Sequence, residues 1–325
     1  MSDPPELADL RAARGRITGH VHRTPVLTSR TLDELVGCRV HLKAEHLQRV
    51  GAFKIRGATN AVQALDDDAA ARGVAAHSSG NHAAALALAA RTRGIPCYVV
   101  MPADAPQAKF DATAGYGATI VRCEPTLAAR AATLAEVVER TGATEVHPFD
   151  DPLVIAGQGT ATLELLDDVP GIGAVVAPVS GGGLLSGTAI AAHGTSPAIR
   201  VLGAEPKAVD DAHRSLATGE LTVGGHTTSI ADGLLATLSP RTFSILRAHD
   251  VEVVTVEEVE IVEAMAFAFT RLKQVVEPSA ATALAGLLCL ARTGATLPDD
   301  VGVILSGGNV DLDRLPFAAG PGLGE

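Results

Sequence analysis

Short apolar runs recur along this chain, each closing on a turn of glycines or hydroxyls that hands over to a helical stretch, and that alternation leaves few folds open. Residues 74–77, 83–93, 97–101, 109–116 and 119–123 read in turn as strand, helix, strand, helix and strand, a βαβαβ block. The pattern resumes over 174–179, 184–193, 200–204, 251–254, 257–273, 280–292 and 301–305. The strand-like runs are short and mostly apolar, which suits a parallel sheet covered by helices. An α/β fold with mainly parallel sheets flanked by helices is therefore expected. Trp is absent and Ala abundant, so the core has to be built from Val, Leu, Ile and Ala. The 325 residues exceed one ordinary core and suit two lobes of roughly 100 to 200 residues each. Acidic, turn-rich stretches at 65–73 and 147–152 bracket the first block, so 69–148 is expected to be a small lobe inserted into a large one made of 1–68 and 149–325. Val262, Met265, Phe269 and Leu272 recur at spacings of three, four and three, which predicts a buried helical face. Residues 320–325 are expected to be a loose tail.

With 47% hydrophobic residues and 19% charged residues the composition is globular. The formal charge of −11, unbroken by any block of Lys or Arg, would repel a polyanion, so no nucleic-acid partner is expected. The start, MSDPPELADL, places acids and prolines where a secretory signal needs a basic end and an apolar run, so no export is expected. The apolar runs at 83–90 and 280–291 fall short of the roughly 20 residues of a membrane span and read as buried helices. Cys38, Cys97, Cys123 and Cys289 are scattered without a CxxC, which fits reduced thiols in a cytoplasm and argues against structural zinc.

Four polar or glycine-rich segments sit at the edges of predicted strands and helices, where α/β folds collect ligands, and they are expected to converge. In Gly51-Ala52-Phe53-Lys54-Ile55-Arg56-Gly57 a lysine follows a tight turn and an aromatic residue. Most lysines are solvated surface charges, but an amine in an apolar pocket sheds its proton readily and attacks aldehydes. Ser78-Ser79-Gly80-Asn81-His82 opens a helix, and its free N–H groups and hydroxyls suit a carboxylate, although a plain capped loop looks the same. Ser180-Gly181-Gly182-Gly183-Leu184 lies between a strand and a helix and exposes main-chain donors to a phosphate monoester. It has neither GxGxxG spacing nor the Lys-Ser/Thr ending of a P-loop, so neither a dinucleotide nor ATP is the expected ligand. The last, Leu305-Ser306-Gly307-Gly308-Asn309, is by itself an ordinary strand-ending turn.

Taken together and in order, GAFKIRGA, SSGNHA, PVSGGGLLSG, AEP with ADG, and LSGGNVD resemble the fold type II pyridoxal 5′-phosphate (PLP) enzymes, in particular the serine/threonine dehydratase and serine racemase branch, from about Thr24 to Asp311. The resemblance implies a two-lobed, tryptophan synthase β-like fold whose large lobe binds PLP. It implies that Lys54 forms the Schiff base and acts as the base at Cα, that Phe53 packs beside the ring, and that Ser180, Gly181, Gly182, Gly183 and Leu184 hold the phosphate. Asn81 would bond the ring hydroxyl, Ser306 would meet the pyridine nitrogen, and Ser78, Asn81 and His82 would take the substrate carboxylate. A hydroxyl at Ser306 does not stabilise a protonated pyridine, so a neutral ring is expected, which suits elimination better than transamination. Two departures stand out: the first of the family's four loop glycines is Ser180, and Ala236 lies where animal serine racemases have Ser.

Ser79 falls where biosynthetic threonine dehydratases commonly have Ala and racemases and hydroxyaspartate dehydratases have Ser. Racemisation needs an acid/base on each face of Cα, and Ser79 would be the second, opposite Lys54. Glu205 and Asp211 are carboxylates six residues apart that can share a hard cation, although a solvated acidic turn is the ordinary reading. Their spacing matches the divalent-metal site of serine racemases, which implies Glu205, the Val209 carbonyl and Asp211 as ligands of Mg²⁺, Mn²⁺ or Ca²⁺. Arg130 matches an arginine near the racemase active-site entrance and would favour a second carboxylate; a surface arginine is the plain alternative.

The expected activity is a PLP-dependent ammonia-lyase converting L-threonine or L-serine to a 2-oxo acid and ammonia. The alternatives with the same site are a serine racemase and an L-threo-3-hydroxyaspartate dehydratase, and a β-replacement synthase would instead carry a TSGN-type loop. An NAD-linked oxidoreductase would need GxGxxG and a ribose-binding acid, and a non-catalytic binding protein would not need Lys54 and Ser306 together. A homodimer is the family's habit. The residues after Asp311 leave no room for the regulatory domain of biosynthetic threonine dehydratases, so no feedback by isoleucine is expected.

Overall fold

The computed structural model describes residues 3–105, 107–223 and 228–317, so the tail expected at 320–325 lies outside the described residues. Among these, ten strands form two sheets: β1 (Val26–Leu27), β2 (Arg39–Lys43), β3 (Val74–His77), β4 (Cys97–Pro102), β5 (Thr119–Cys123), β6 (Thr144–Glu145), β7 (Ala174–Pro178), β8 (Arg200–Pro206), β9 (Glu252–Val256) and β10 (Asp300–Ile304). The six-stranded sheet runs β1-β2-β10-β7-β8-β9, parallel except for the β1–β2 pair. The four-stranded sheet runs β5-β4-β3-β6 and is parallel throughout. The continuous apolar runs owe their character to this arrangement, since β7 is buried at every position and helices cover both faces. The chain is thus the expected α/β fold.

The helix Pro152–Asp168 lies at the centre of the molecule, against helices Lys54–Gln63, Gly183–Thr195 and Leu7–Ile17. Asp151 starts it by accepting from the N–H groups of Leu153 and Val154, with Pro152 in the first turn. Glycines let it approach so closely: a Cβ on Gly157 would come 2.6 Å from the Cα of Gly57, and one on Gly159 would come 2.7 Å from the Gly187 carbonyl oxygen. A buried ionic network fixes the start of the Lys54–Gln63 helix against β2 and this central helix. Arg56 donates to Glu45 at 2.7 and 2.8 Å and to both oxygens of Glu164 at 2.8 Å, while Lys43 donates to Glu164 and to the Thr24 carbonyl, each at 2.7 Å. Two cations face two anions, so the burial of four charges is locally balanced.

Two local expectations are corrected. The stretch 65–73 is no simple turn, because Asp66 caps a short helix, Asp67–Arg72. The predicted helix over 257–273 ends at Phe267 and continues as a π turn, Ala268–Leu272, with Lys273 at φ +60°. A π turn takes more residues per turn, so the phase slips. The buried face is Ile261, Ala264, Met265 and Ala268, whereas Val262 and Leu272 are half-buried and Phe269 is 43% exposed, its ring 5.6 Å from that of Phe317. All four cysteines are free, and burial pushes the Cys97 thiol up to about 12. Among the described residues no helix is long and apolar enough to cross a membrane.

Candidate active site

Three of the four segments follow the carboxyl ends of parallel strands, β3, β7 and β10, and the fourth is tied to them by main-chain pairing. Ala52 bridges Gly307, the Phe53 N–H donates to the Ser306 carbonyl at 3.0 Å, and the Gly308 N–H donates to Gly51 at 2.9 Å. Gly51 makes the approach possible: it has φ +68°, and a Cβ there would lie 2.4 Å from Asn309 Oδ1. Lys54 and the buried Ser306 are thereby brought together from opposite ends of the sequence.

The Lys54 Nζ donates to the Pro148 carbonyl at 2.9 Å and sits 5.1 Å from the centre of the Phe53 ring. Burial lowers its pKa to about 8, with Glu277 pulling the other way. About a tenth of the amine is therefore unprotonated at pH 7, far more than of an ordinary lysine, and that form is the nucleophile toward an aldehyde. Pro148 leads into Phe149, whose ring packs on the glycine loop: a Cβ on Gly181 would come 2.4 Å from it. Gly182, at φ +89°, caps the Gly183–Thr195 helix in a left-handed conformation, and Thr242 Oγ1 holds the loop by donating to the Gly181 carbonyl at 2.9 Å. Among the described residues no protein acceptor takes the N–H groups of Ser180 to Leu184. Five free donors at a helix start, with no Cβ on three of the five residues, form a cradle that fits a phosphate. The two departures from the family pattern meet here, since Ser180 Oγ accepts from the Ala236 N–H at 3.1 Å and donates to the Ala236 carbonyl at 3.3 Å.

Asn81 and His82 open the helix Asn81–Arg93, where main-chain N–H groups lack intrahelical partners. The His82 side chain does not face a ligand as a donor. Its Nε2 bonds the Val146 carbonyl at 2.9 Å, which fixes the proton on that nitrogen, and burial presses its pKa down to about 3. What His82 leaves open at the helix start is its main-chain N–H. Ser78 Oγ accepts from the Gly80 N–H at 3.3 Å, and Ser79 is half-buried. His147 is a further member that sequence reading passed over. Its Nδ1 accepts from the N–H groups of Phe149 and Asp150 at 3.4 and 2.9 Å, so a neutral ring carries its proton on Nε2, and burial pushes its pKa down to about 4. His77 lies edge-on to His147 with ring centres 6.5 Å apart, and Arg130 lies within electrostatic reach of His77, its Nε buried and without a partner.

Glu277 is the other member that went unnoticed. It is 7% exposed, its carboxylate accepts from Asn81 Nδ2 at 3.0 and 3.2 Å and from the Asn309 N–H at 3.1 Å, and burial raises its pKa to about 7. In sequence, an acid before Pro278 at the head of an apolar run reads as an ordinary helix start. The structure removes that disguise, because the Glu277 side chain makes no capping bond to its own helix.

The residues expected at a cation lie apart from Lys54, at the end of β8. Glu205 accepts from the N–H groups of Ala212 and His213 at 3.1 and 2.9 Å, and Asp211 Oδ2 is buried without a partner. Burial raises the two carboxyls to about 8 and about 6. Among the described residues no group of three or more His, Cys, Asp or Glu side chains converges as a metal site.

Comparison with known proteins supports the same chemistry. The family described as pyridoxal-phosphate dependent enzyme matches residues 17–307. The chain is 49% identical over 313 residues to the beta-hydroxyaspartate dehydratase of Paracoccus denitrificans (strain Pd 1222), covering 96% of this chain and 99% of that one. The crystal structure of serine racemase from Dictyostelium discoideum superposes with a TM-score of 0.91 at 46% identity, covering 95% of this chain and 99% of that one. The crystal structure of a T.th. threonine deaminase superposes with a TM-score of 0.88 at 48% identity, covering the same shares, 95% and 99%. Matched over nearly its whole length, this chain belongs to the fold type II family of pyridoxal-phosphate dependent enzymes.

Proposed function

We propose that this enzyme is a dehydratase of β-hydroxy amino acids whose preferred substrate carries a second carboxylate, 3-hydroxyaspartate, ahead of L-threonine and L-serine. The observation that carries the reading is the row of basic groups Lys54, His147, His77 and Arg130, each in electrostatic reach of the next, in which Arg130 keeps a buried Nε unpartnered. A buried guanidinium nitrogen without a partner is costly and suits an anionic guest. The name of the Paracoccus relative points the same way.

In this reading Lys54 carries PLP, Phe53 packs beside its ring, Ser306 meets the ring nitrogen, Asn81 the ring hydroxyl, and Ser180 to Leu184 the phosphate. The bound cofactor supplies the electron sink that acidifies the substrate Cα–H. Lys54, desolvated and with a pKa of about 8, takes that proton. Ser78 and the N–H groups of Asn81 and His82 hold the α-carboxylate, and Arg130 with the Nε2–H of His147 meets the β-carboxylate. Water leaves across Cα–Cβ, and the enamine product hydrolyses to a 2-oxo acid and ammonia.

Ser79 supports racemisation of serine as a side activity, because its hydroxyl has no hydrogen-bond partner among the described residues and stands beside the carboxylate-binding N–H groups. Glu205, the Val209 carbonyl and Asp211 would be the ligands of one hard divalent cation, Mg²⁺, Mn²⁺ or Ca²⁺. The unpartnered Asp211 oxygen and the two raised carboxyls are what acids short of positive charge look like. A homodimer in the cytoplasm completes the proposal.

The test is 2-oxo acid release from threo- and erythro-3-hydroxyaspartate, L-threonine and L-serine. One hydroxyaspartate diastereomer is expected to show the highest kcat/KM, and Arg130→Met to lower that value roughly tenfold to a hundredfold while changing serine turnover little. A higher kcat/KM for threonine would overturn the reading.

A further inference from the structure

Asn81 is held from two sides by groups that fix the sense of its bonds, an ionised Glu277 carboxylate that can only accept and an Asn309 amide nitrogen that can only donate. Its Nδ2 donates to the Glu277 carboxylate at 3.0 and 3.2 Å, and its Oδ1 accepts from Asn309 Nδ2 at 2.9 Å. Asn309 is itself fixed, since its Nδ2 also donates to the Val50 carbonyl at 2.7 Å and its main-chain N–H donates to Glu277 at 3.1 Å. Turning the Asn81 amide over would set its oxygen against a carboxylate and its NH₂ against another NH₂, losing both contacts. Two glycines make room for the clamp: a Cβ on Gly307 would come 2.6 Å from Glu277 Oε1, and one on Gly51 would come 2.4 Å from Asn309 Oδ1.

We propose that Glu277 is a positioning residue which, with Asn309, locks the Asn81 amide so that this residue can only donate to the cofactor's ring hydroxyl, and so keeps that oxygen ionised. The inference rests on the reading of Asn81 as the group facing the ring hydroxyl. A donor stabilises an anionic oxygen, whereas an unlocked amide also offers its carbonyl, which favours the protonated hydroxyl. Glu277 acts through Asn81, and its side chain serves no capping purpose in its own helix.

The test compares PLP-loaded wild type with Asn81→Ala, Glu277→Ala, Glu277→Gln, Asn309→Ala and the Asn81→Ala/Glu277→Ala double variant at one fixed pH. It reads the ratio of the visible-edge to the ultraviolet cofactor band, and the dissociation constant for PLP added back to the stripped protein. Circular dichroism confirms that each variant is folded. Asn81→Ala is expected to lower the band ratio, and Glu277→Ala and Asn309→Ala to lower it in the same direction. The dissociation constant for PLP is expected to rise roughly tenfold in each. Glu277→Gln keeps one acceptor and is expected to fall between wild type and Glu277→Ala; with Asn309→Ala it carries the test if Glu277→Ala does not fold. The double variant is expected to go no further than Asn81→Ala. If Asn81→Ala shifts the bands and the Glu277 and Asn309 variants do not, the lock is refuted while the reading of Asn81 stands. If Asn81→Ala leaves the bands unchanged, both fall.

Discussion

Lys54 is an amine placed to lose its proton. Burial depresses its pKa from the usual lysine range to about 8, and the acid facing it, Glu277, only partly offsets this. The unprotonated amine is the species that attacks an aldehyde, so its fraction rises with pH up to and through that value. Stripped enzyme is therefore expected to recapture PLP at a rate that climbs with pH and levels off above about 8. A rate still climbing in the range of an ordinary surface lysine would show that the amine is not desolvated. The residues legible in the sequence are those whose types announce chemistry, such as a lysine after a glycine turn or three glycines in a row. Glu277 and His147 were not legible, because an acid before proline and a histidine in a turn have commoner explanations. Only the fold brings Glu277 against Asn81 and aims two N–H groups at His147 Nδ1.

Among the elements, the helix Pro152–Asp168 is what the periodicity reading missed. Gly157 and Gly159 let neighbouring backbones approach, a property of the partner helices that no local pattern reports. The parallel strands were readable because burial on both faces leaves continuous apolar runs. The phase slip at Ala268–Leu272 was not, since a π turn has no clear signature of its own. The Arg56 network belongs to this scale, as it joins the Lys54–Gln63 helix to β2 and to Pro152–Asp168. Arg56→Leu would leave two buried carboxylates facing Lys43 alone, and a loss of roughly 3–5 kcal/mol is expected. Urea unfolding of the purified protein would register it as a lower midpoint, and an unchanged midpoint would mean that the charges rearrange or take in water.

For the whole molecule, we propose that 69–148 is the small lobe and that 1–68 with 149–325 is the large one. This division gives the four-stranded sheet to one unit and the six-stranded sheet to the other. The proposed cation would be a stabiliser of the large lobe, because Glu205 is next to last in β8 and Asp211 opens the helix Asp211–Thr218. Mg²⁺, Mn²⁺ or Ca²⁺ at a hundredfold excess over its dissociation constant would add about 2.7 kcal/mol, so several degrees of Tm are expected, absent in Asp211→Asn. A Tm indifferent to both cation and chelator would remove the site.

The last strand among the described residues, β10, lies in the interior of the large sheet, between β2 and β7, and the turn that follows it supplies Ser306 and the partner of Ala52. A chain emerging from the ribosome exposes its amino-terminal half first, so the gap between β2 and β7 stays unfilled until residues 300–304 have emerged. Ser306 and the Ala52 to Lys54 segment can therefore meet only after that strand has emerged. Until then the unpaired edges of β2 and β7 flank an empty slot, and that is the period when this chain is most in need of protection from its neighbours.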